Sequence, residues 1–347
     1  MRIEKMKSVL GILALVSSVP VTRADAQQIS SVGDLRAAIA RARAGSRVSI
    51  PAGTYNIGSV PLRVEGKRNV QIVGAGEGRT VIRASASAPF IIELAGSNDG
   101  LTIAGMTLEG ASRLSTNTHA LASGSDRMNL TRARFHDLAI RNTAVGISVV
   151  GSGNGYCDDV QITSNSLDNI QEVVKPDGTT SGSGYGIHND GCTNVRIAGN
   201  TIRNADRHSI YQASAYQPGR PAASGSIVID DNTIIDHGRT SLTNNEWKVA
   251  LVVARSANVT VSNNQIINPY HDAISIEDPS EEKRSYSVWN IRLISNTVRD
   301  PHTADVFLTA SGTFVSEGNR FIHGNASARP FVRRAGKGVS GKLSGGG

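Results

Sequence analysis

From Val160 onward the chain keeps returning to one short phrase, an apolar–polar alternation that runs into asparagine. It reads VQITSN (160–165), VRIAGN (195–200), IVIDDN (227–232), VTVSNN (259–264), IRLISN (291–296) and FVSEGN (314–319). Fainter copies start at Val70 (VQIVGA), Leu101 (LTIAGM) and Met128 (MNLTRA). The start-to-start spacings are 31, 27, 32, 35, 32, 32, 32 and 23 residues. A near-constant period of this length marks a stacked array whose units share one core, because no single unit can bury its own apolar face.

The alternation has period two, the signature of a half-buried strand. A second short strand follows each asparagine, as in Thr201–Arg203, Thr233–Ile235 and Gln265–Ile267. A third precedes each phrase: GISVV at Gly146, GIHN at Gly186, SIYQ at Ser209, ALVV at Ala250 and AISI at Ala273. Three strands per period without a 3.6-residue pattern predict an all-β, single-stranded, right-handed parallel β-helix of about nine coils, each stacked about 4.8 Å from the next. The asparagine column is read as structural. Asparagine tolerates the left-handed backbone that a tight turn requires, and stacked amides can hydrogen-bond along the column.

The ends differ from this body. Residues 1–26 combine a basic start, an apolar run and Ala24–Ala26 before Gln27, the pattern of a secretory signal; export to the periplasm or medium of a bacterium follows. The run is too short to span a bilayer. Within the body, 27–328, residues 31–45 read as an amphipathic helix with Leu35, Ala38, Ile39 and Ala42 on one face, placed to cap the open first coil. Residues 329–347 are basic and Gly-rich, which predicts a flexible tail. The formal charge of +7 resides in these ends. Residues 1–26 carry four basic and two acidic residues, and 329–347 carry five basic and none acidic, so the body is neutral. Nothing here favours a nucleic-acid partner. Cys157 and Cys192 each precede a phrase by three residues in adjacent coils, which places their α-carbons about 5 Å apart and predicts a disulfide.

The long insertions lie around the third strand: Glu172–Gly184, Ala213–Gly225 and His237–Lys248. With Ile147, Ile187, Ile210, Leu251 and Ile274 facing inward, alternation turns Ser148, His188, Tyr211, Val252 and Ser275 outward in one column. Tyr185, Arg207 and His208 stand just before these strands. Tyr185, His188, Arg207, His208 and Tyr211 are the catalytic candidates. Lys175, Trp247, Lys248, His271, Asp272 and Glu277 are the substrate-binding candidates. His237, His302 and the pairs Asp158–Asp159, Asp230–Asp231 and Glu281–Glu282 read as solvated loop or turn residues. No Ca²⁺-loop spacing supports a cation at those pairs; a divalent cation is left open, and no cofactor is expected.

The repeat resembles the pectate-lyase-like superfamily over roughly Ser46 to Ile322. In that superfamily ligands lie across the outward face of the strand that the long loops enter. Two phrases are similar to mannuronan epimerases and related alginate-active β-helix enzymes. ADRHSIYQAS (205–214) resembles their DRHGF segment at Asp206, Arg207 and His208, and GYGIHND (184–190) resembles their YGFDPH segment at Tyr185 and Gly186. The family's Asp falls on His188 and its His on Asp190, and the two phrases are one coil apart instead of two.

A column rich in His, Tyr and Arg suits proton abstraction beside a uronate carboxylate. His or Tyr moves the protons, and Arg or Lys holds the carboxylate. The expected activity is β-elimination on an acidic polysaccharide. His208 or Tyr211 is then the base, Tyr185 or His188 the acid, and Arg207 and Lys248 the carboxylate binders. Epimerisation uses the same proton abstraction. Hydrolysis needs paired carboxylates, for which Asp272, Glu277 and Asp278 stay open. A non-catalytic glycan-binding protein is the alternative of another class.

Overall fold

The computed structural model describes residues 29–123, 128–151, 155–175, 177–214, 225–238, 248–277, 287–308, 311–324, 332–333 and 342–343. The segment read as a secretory signal, the candidate Trp247, and Asp278, Glu281 and Glu282 lie outside them.

The chain winds into a right-handed parallel β-helix. Ten strands, from Leu62–Glu65 to Val332–Arg333, pair in parallel, each with the corresponding strand of the next coil. The other 21 strands form a second continuous sheet around the remaining sides. Among the described residues the first sheet has ten rungs, against about nine coils expected. The last is a two-residue strand, Val332–Arg333, that carries no repeat phrase, and Lys342–Leu343 also pairs onto the stack. Both fall inside the segment read as a flexible tail.

Alternation does what it predicts. Ile147, Ile187, Ile210, Leu251 and Ile274 are each at most 1% exposed and belong to one core that runs the length of the coil stack. The phrase at Met128 proves out of phase. Thr102 pairs with Arg134, and Arg134 with Gln161, so the true counterpart of Leu101 and Val160 is Ala133. Met128 precedes a different strand, Asn129–Thr131, which pairs with Ser97–Asp99 and Tyr156–Thr163. Consecutive strands within a coil both alternate, so periodicity alone does not tell them apart.

The asparagine column forms, and of the two reasons read from the sequence the amide ladder holds while backbone tolerance belongs to the preceding residue. Asn165, Asn200, Asn232, Asn264, Asn296 and Asn319 are at most 3% exposed. Each amide nitrogen from Asn165 to Asn296 donates to the next Oδ1 at 2.9 Å. The same Oδ1 also accepts a backbone N–H, as Asn232 Oδ1 does from Asn200 at 3.0 Å. The left-handed residue is the one before: Ser164, Gly199, Asp231, Asn263, Ser295 and Gly318 have φ between 53° and 64°. The asparagines are chosen for their amides, which satisfy buried backbone groups that water cannot reach.

The N-terminal helix spans Val32–Arg41, shorter than the predicted 31–45. Ser31 caps it in a reciprocal capping box with Asp34, and Leu35 and Ile39 are buried against the first coils. Ala38 and Ala42 complete the packed face, and Gly45, at φ 76°, turns the chain into the first strand. Cys157 and Cys192 form the disulfide, with α-carbons 4.5 Å apart. Among the described residues no helix is long and apolar enough to cross a membrane.

Candidate active site

The ten-stranded sheet carries the predicted column. Ser148, His188, Tyr211, Val252 and Ser275 are successive partners in register. Three residues earlier in the strand, Tyr185 pairs with His208. Close stacking is possible there because Gly186 separates Tyr185 from Ile187. A Cβ on Gly186 would lie 2.5 Å from the Ser209 carbonyl oxygen.

The five catalytic candidates meet. Tyr185 has ring centroids of His188 at 5.1 Å, His208 at 5.3 Å and Tyr211 at 5.7 Å, the last edge-on. Tyr211 lies 5.3 Å from His188 and 5.5 Å from His208. The Arg207 guanidinium sits over the Tyr185 ring, 5.3 Å from its centroid. These contacts join residues 26 positions apart in sequence.

Their exposure divides their roles. Tyr185, His188, Arg207 and Tyr211 keep surface open to solvent, whereas His208 is 3% exposed. His208 Nδ1 lies 2.9 Å from the Val249 carbonyl oxygen. A carbonyl only accepts, so Nδ1–H is the donor and the lone pair falls on Nε2. Burial holds this imidazole well below its ordinary range, and the bond to Val249 only partly opposes it. His188 contacts Ser148 Oγ at 3.1 Å and is held down to about 4, first by burial and then by His119, Arg207 and Arg255. Burial pushes Tyr211 up to about 12 and raises Tyr185, against the pull of Arg255 and Arg207 respectively. At neutral pH the site thus holds neutral imidazoles beside protonated phenols.

The substrate-binding candidates separate. Lys175 is exposed on the Glu172–Gly184 insertion. That insertion is tied down at its base, where the Glu172 N–H donates to Asp206 Oδ2 at 2.8 Å and the Val173 N–H to Ser183 Oγ at 2.9 Å. Lys248, read as a carboxylate binder, is 1% exposed, with its ammonium over the Tyr270 ring at 4.7 Å and within the fields of Asp206 and Glu172. Asp272, 3% exposed, has Oδ2 2.9 Å from His271 Nδ1. Lys248 and Asp272 are both buried, so a ligand on the sheet face does not reach them. His271 keeps part of its surface. His237, read as solvated, is fully buried, with Nδ1 3.0 Å from Ser209 Oγ and its ring held down to about 3 by burial. His302 is exposed and stacks on Tyr270 at 5.2 Å.

Glu277 sits in the same register column as Asp190, with Ala213 and Ala254 between them. Its Oε1 accepts from Ser275 Oγ at 2.7 Å, and burial raises both carboxyls. Two groups beside Tyr211 escaped the sequence reading: Asp190 as a face residue, and Arg255, whose Nη2 lies 3.7 Å from Asp190 Oδ1. Only the strand register brings them together. Among the described residues no group of three His, Cys, Asp or Glu has the arrangement of a metal site.

A search of curated protein sequences finds no match. Solved structures with the same fold include the tailspike protein of E. coli bacteriophage HK620 in complex with a pentasaccharide. It has 12% identity and a TM-score of 0.62, over 87% of this chain and 56% of that one. The alginate lyase of Paenibacillus sp. strain FPU-7 matches at 14% identity and TM-score 0.53, over 86% of this chain and 97% of its own. ORF18 of Geobacillus virus E2 matches at 13% and 0.54, over 88% and 57%. The chain thus spans little more than half the length of the two viral proteins. The family model described as the right handed beta helix region matches residues 90–288, more than half the chain, and the chain belongs to that family.

Proposed function

We propose that this protein is an exported carbohydrate-active enzyme that cleaves an acidic, uronate-containing polysaccharide by β-elimination. One observation carries the reading: two neutral imidazoles and two protonated phenols touch one another on a single sheet face, with a guanidinium on the rim. The alginate lyase and the pentasaccharide-bound tailspike share the fold, which adds support for a saccharide ligand.

In this mechanism Arg207 binds the uronate carboxylate and stabilises the negative charge that spreads onto it as the adjacent proton leaves. His188 is the base. It keeps exposed surface and stays unprotonated well below neutral pH. The C–H electrons form the ring double bond, the glycosidic C–O bond breaks, and the departing oxygen takes the phenolic proton of Tyr211. His208 is too enclosed to meet the sugar. Its bond to Val249 and its packing between Tyr185 and Tyr211 make it the residue that positions both phenols. Glycoside hydrolysis is less well served. The backbones of Asp190 and Glu277 stand three strand spacings apart, about 14 Å, against roughly 6.5–9.5 Å between the carboxyls of inverting pairs.

The test is a panel of uronate polysaccharides in deuterated water. Elimination gives ultraviolet absorbance from the new double bond. Deuterium uptake without cleavage assigns epimerisation, and reducing ends without absorbance assign hydrolysis. Binding without any of the three assigns the non-catalytic glycan-binding alternative.

A further inference from the structure

Beyond Tyr211 along the strand direction, on the side away from Arg207, stands Arg255. Ala254 pairs with Ala213, two residues past Tyr211, and Arg255 follows Ala254. The equivalent turn position after the strand is glycine in other coils, Gly66, Gly96 and Gly191, with φ of 68°, 58° and 89°. Arg255 adopts the same left-handed backbone, φ 48°, in place of glycine. A side chain there is strained.

Its guanidinium is also underused. The side chain is only 24% exposed, yet its one close polar contact among the described residues is Asp190 at 3.7 Å, too long for a hydrogen bond. Its Nε is buried without an acceptor. Arg132 gives the contrast. It too is left-handed, φ 54°, but its Nε and Nη2 both donate to Asp99. Strained backbone, open donors and open acceptors thus coincide beside the ring cluster, a combination that points to a ligand.

We propose that Arg255 and Asp190 form a subsite for the hydroxyl groups of the sugar next to the reacting one. The charge balance selects the ligand: Asp190 already offsets the guanidinium, so the pair offers no net attraction to a second uronate carboxyl. A pair of ring hydroxyls accepts from Arg255 while donating to Asp190. The subsite rejects a sugar whose hydroxyls are O-acetylated, because an ester cannot donate and leaves buried acceptors unfilled. This inference rests on the saccharide part of the reading above but not on β-elimination.

Calorimetric titration of short oligouronates, free and chemically O-acetylated, tests it without turnover. The wild type should bind the free oligomers at least about tenfold tighter than the acetylated ones. Arg255→Gly, which supplies the residue found at Gly66, Gly96 and Gly191, should lose this preference and bind free oligomers about tenfold more weakly, with a thermal midpoint no lower than wild type. Arg255→Lys serves where the glycine variant does not fold, and should weaken affinity at an unchanged midpoint. Equal binding by wild type and variant, retained preference in the variant, or no preference in the wild type overturns the subsite. A protein that binds with this preference yet never forms a double bond keeps the subsite and loses the lyase reading. Elimination that ignores acetylation does the reverse.

Discussion

Replacing Asn232 tests whether the amide column is held by hydrogen bonds or by turn conformation. Asn232 is fully buried. Its Oδ1 accepts from the Asn200 backbone N–H at 3.0 Å and from Asn200 Nδ2 at 2.9 Å, and its Nδ2 donates to the Ile197 carbonyl at 3.0 Å and to Asn264 Oδ1 at 2.9 Å. Asn232→Ala removes partners from buried groups that water does not reach. At roughly 1–3 kcal/mol for each group left unsatisfied, and with Asn200 Nδ2 still held by Ile162, the loss is roughly 3–6 kcal/mol. Asn232→Gly supplies any backbone angle but no amide, so it should be at least as damaging. Asp231 is the opposite case, left-handed at φ 53° with an exposed side chain. Asp231→Gly should stay within about 1 kcal/mol of wild type. Urea unfolding followed by far-ultraviolet circular dichroism compares the three. A harmless Asn232→Gly, or an Asp231→Gly more damaging than Asn232→Ala, would refute the amide argument.

Three further outcomes follow from the structure. His237 is held down to about 3, so between pH about 6.5 and about 3 the unfolded chain takes up a proton that the folded one refuses. Its contribution is intact above that window and lost as pH falls, by at most roughly 5 kcal/mol; the stability difference between wild type and His237→Gln in urea should therefore shrink on acidification, and a constant difference contradicts the argument. The Cys157–Cys192 bridge closes a separation of 35 residues, for which chain entropy gives about 4 kcal/mol, so the double alanine variant should melt well below wild type. An equal midpoint would show that stacking alone holds those coils. Finally, His188, the proposed base, lies near 4 instead of the ordinary 6.5, so the acid limb of kcat/KM should fall near pH 4 and not near 6.5.

Much of this was legible in the chain, and the failures have physical causes. Period-two alternation with a recurring asparagine told strand from helix, inward from outward, and which coils are neighbours. The meeting of Tyr185, His188, Arg207, His208 and Tyr211 and the disulfide both follow from that register. Left-handed turns and amide ladders both favour asparagine, so sequence could not say which role belongs to Asn232 and which to the preceding Asp231. Lys248 and Asp272 read as substrate binders and His237 as solvated, all three at loop edges. They are buried, with Asp272 against His271, His237 against Ser209 and Lys248 over Tyr270, contacts that residue type and spacing do not announce. Arg255 became visible only once register set it beside glycines of other coils.

The account turns on whether the ring cluster moves protons on a uronate. The decisive measurement is the rate at which double-bond absorbance appears on a uronate polysaccharide with wild type and His188→Gln, at substrate concentrations that saturate both. The wild type should generate unsaturated ends, and the variant should retain binding while losing about 10²-fold or more in kcat. A wild type that leaves every uronate polymer intact, or a variant that cleaves as fast as wild type, contradicts the assignment.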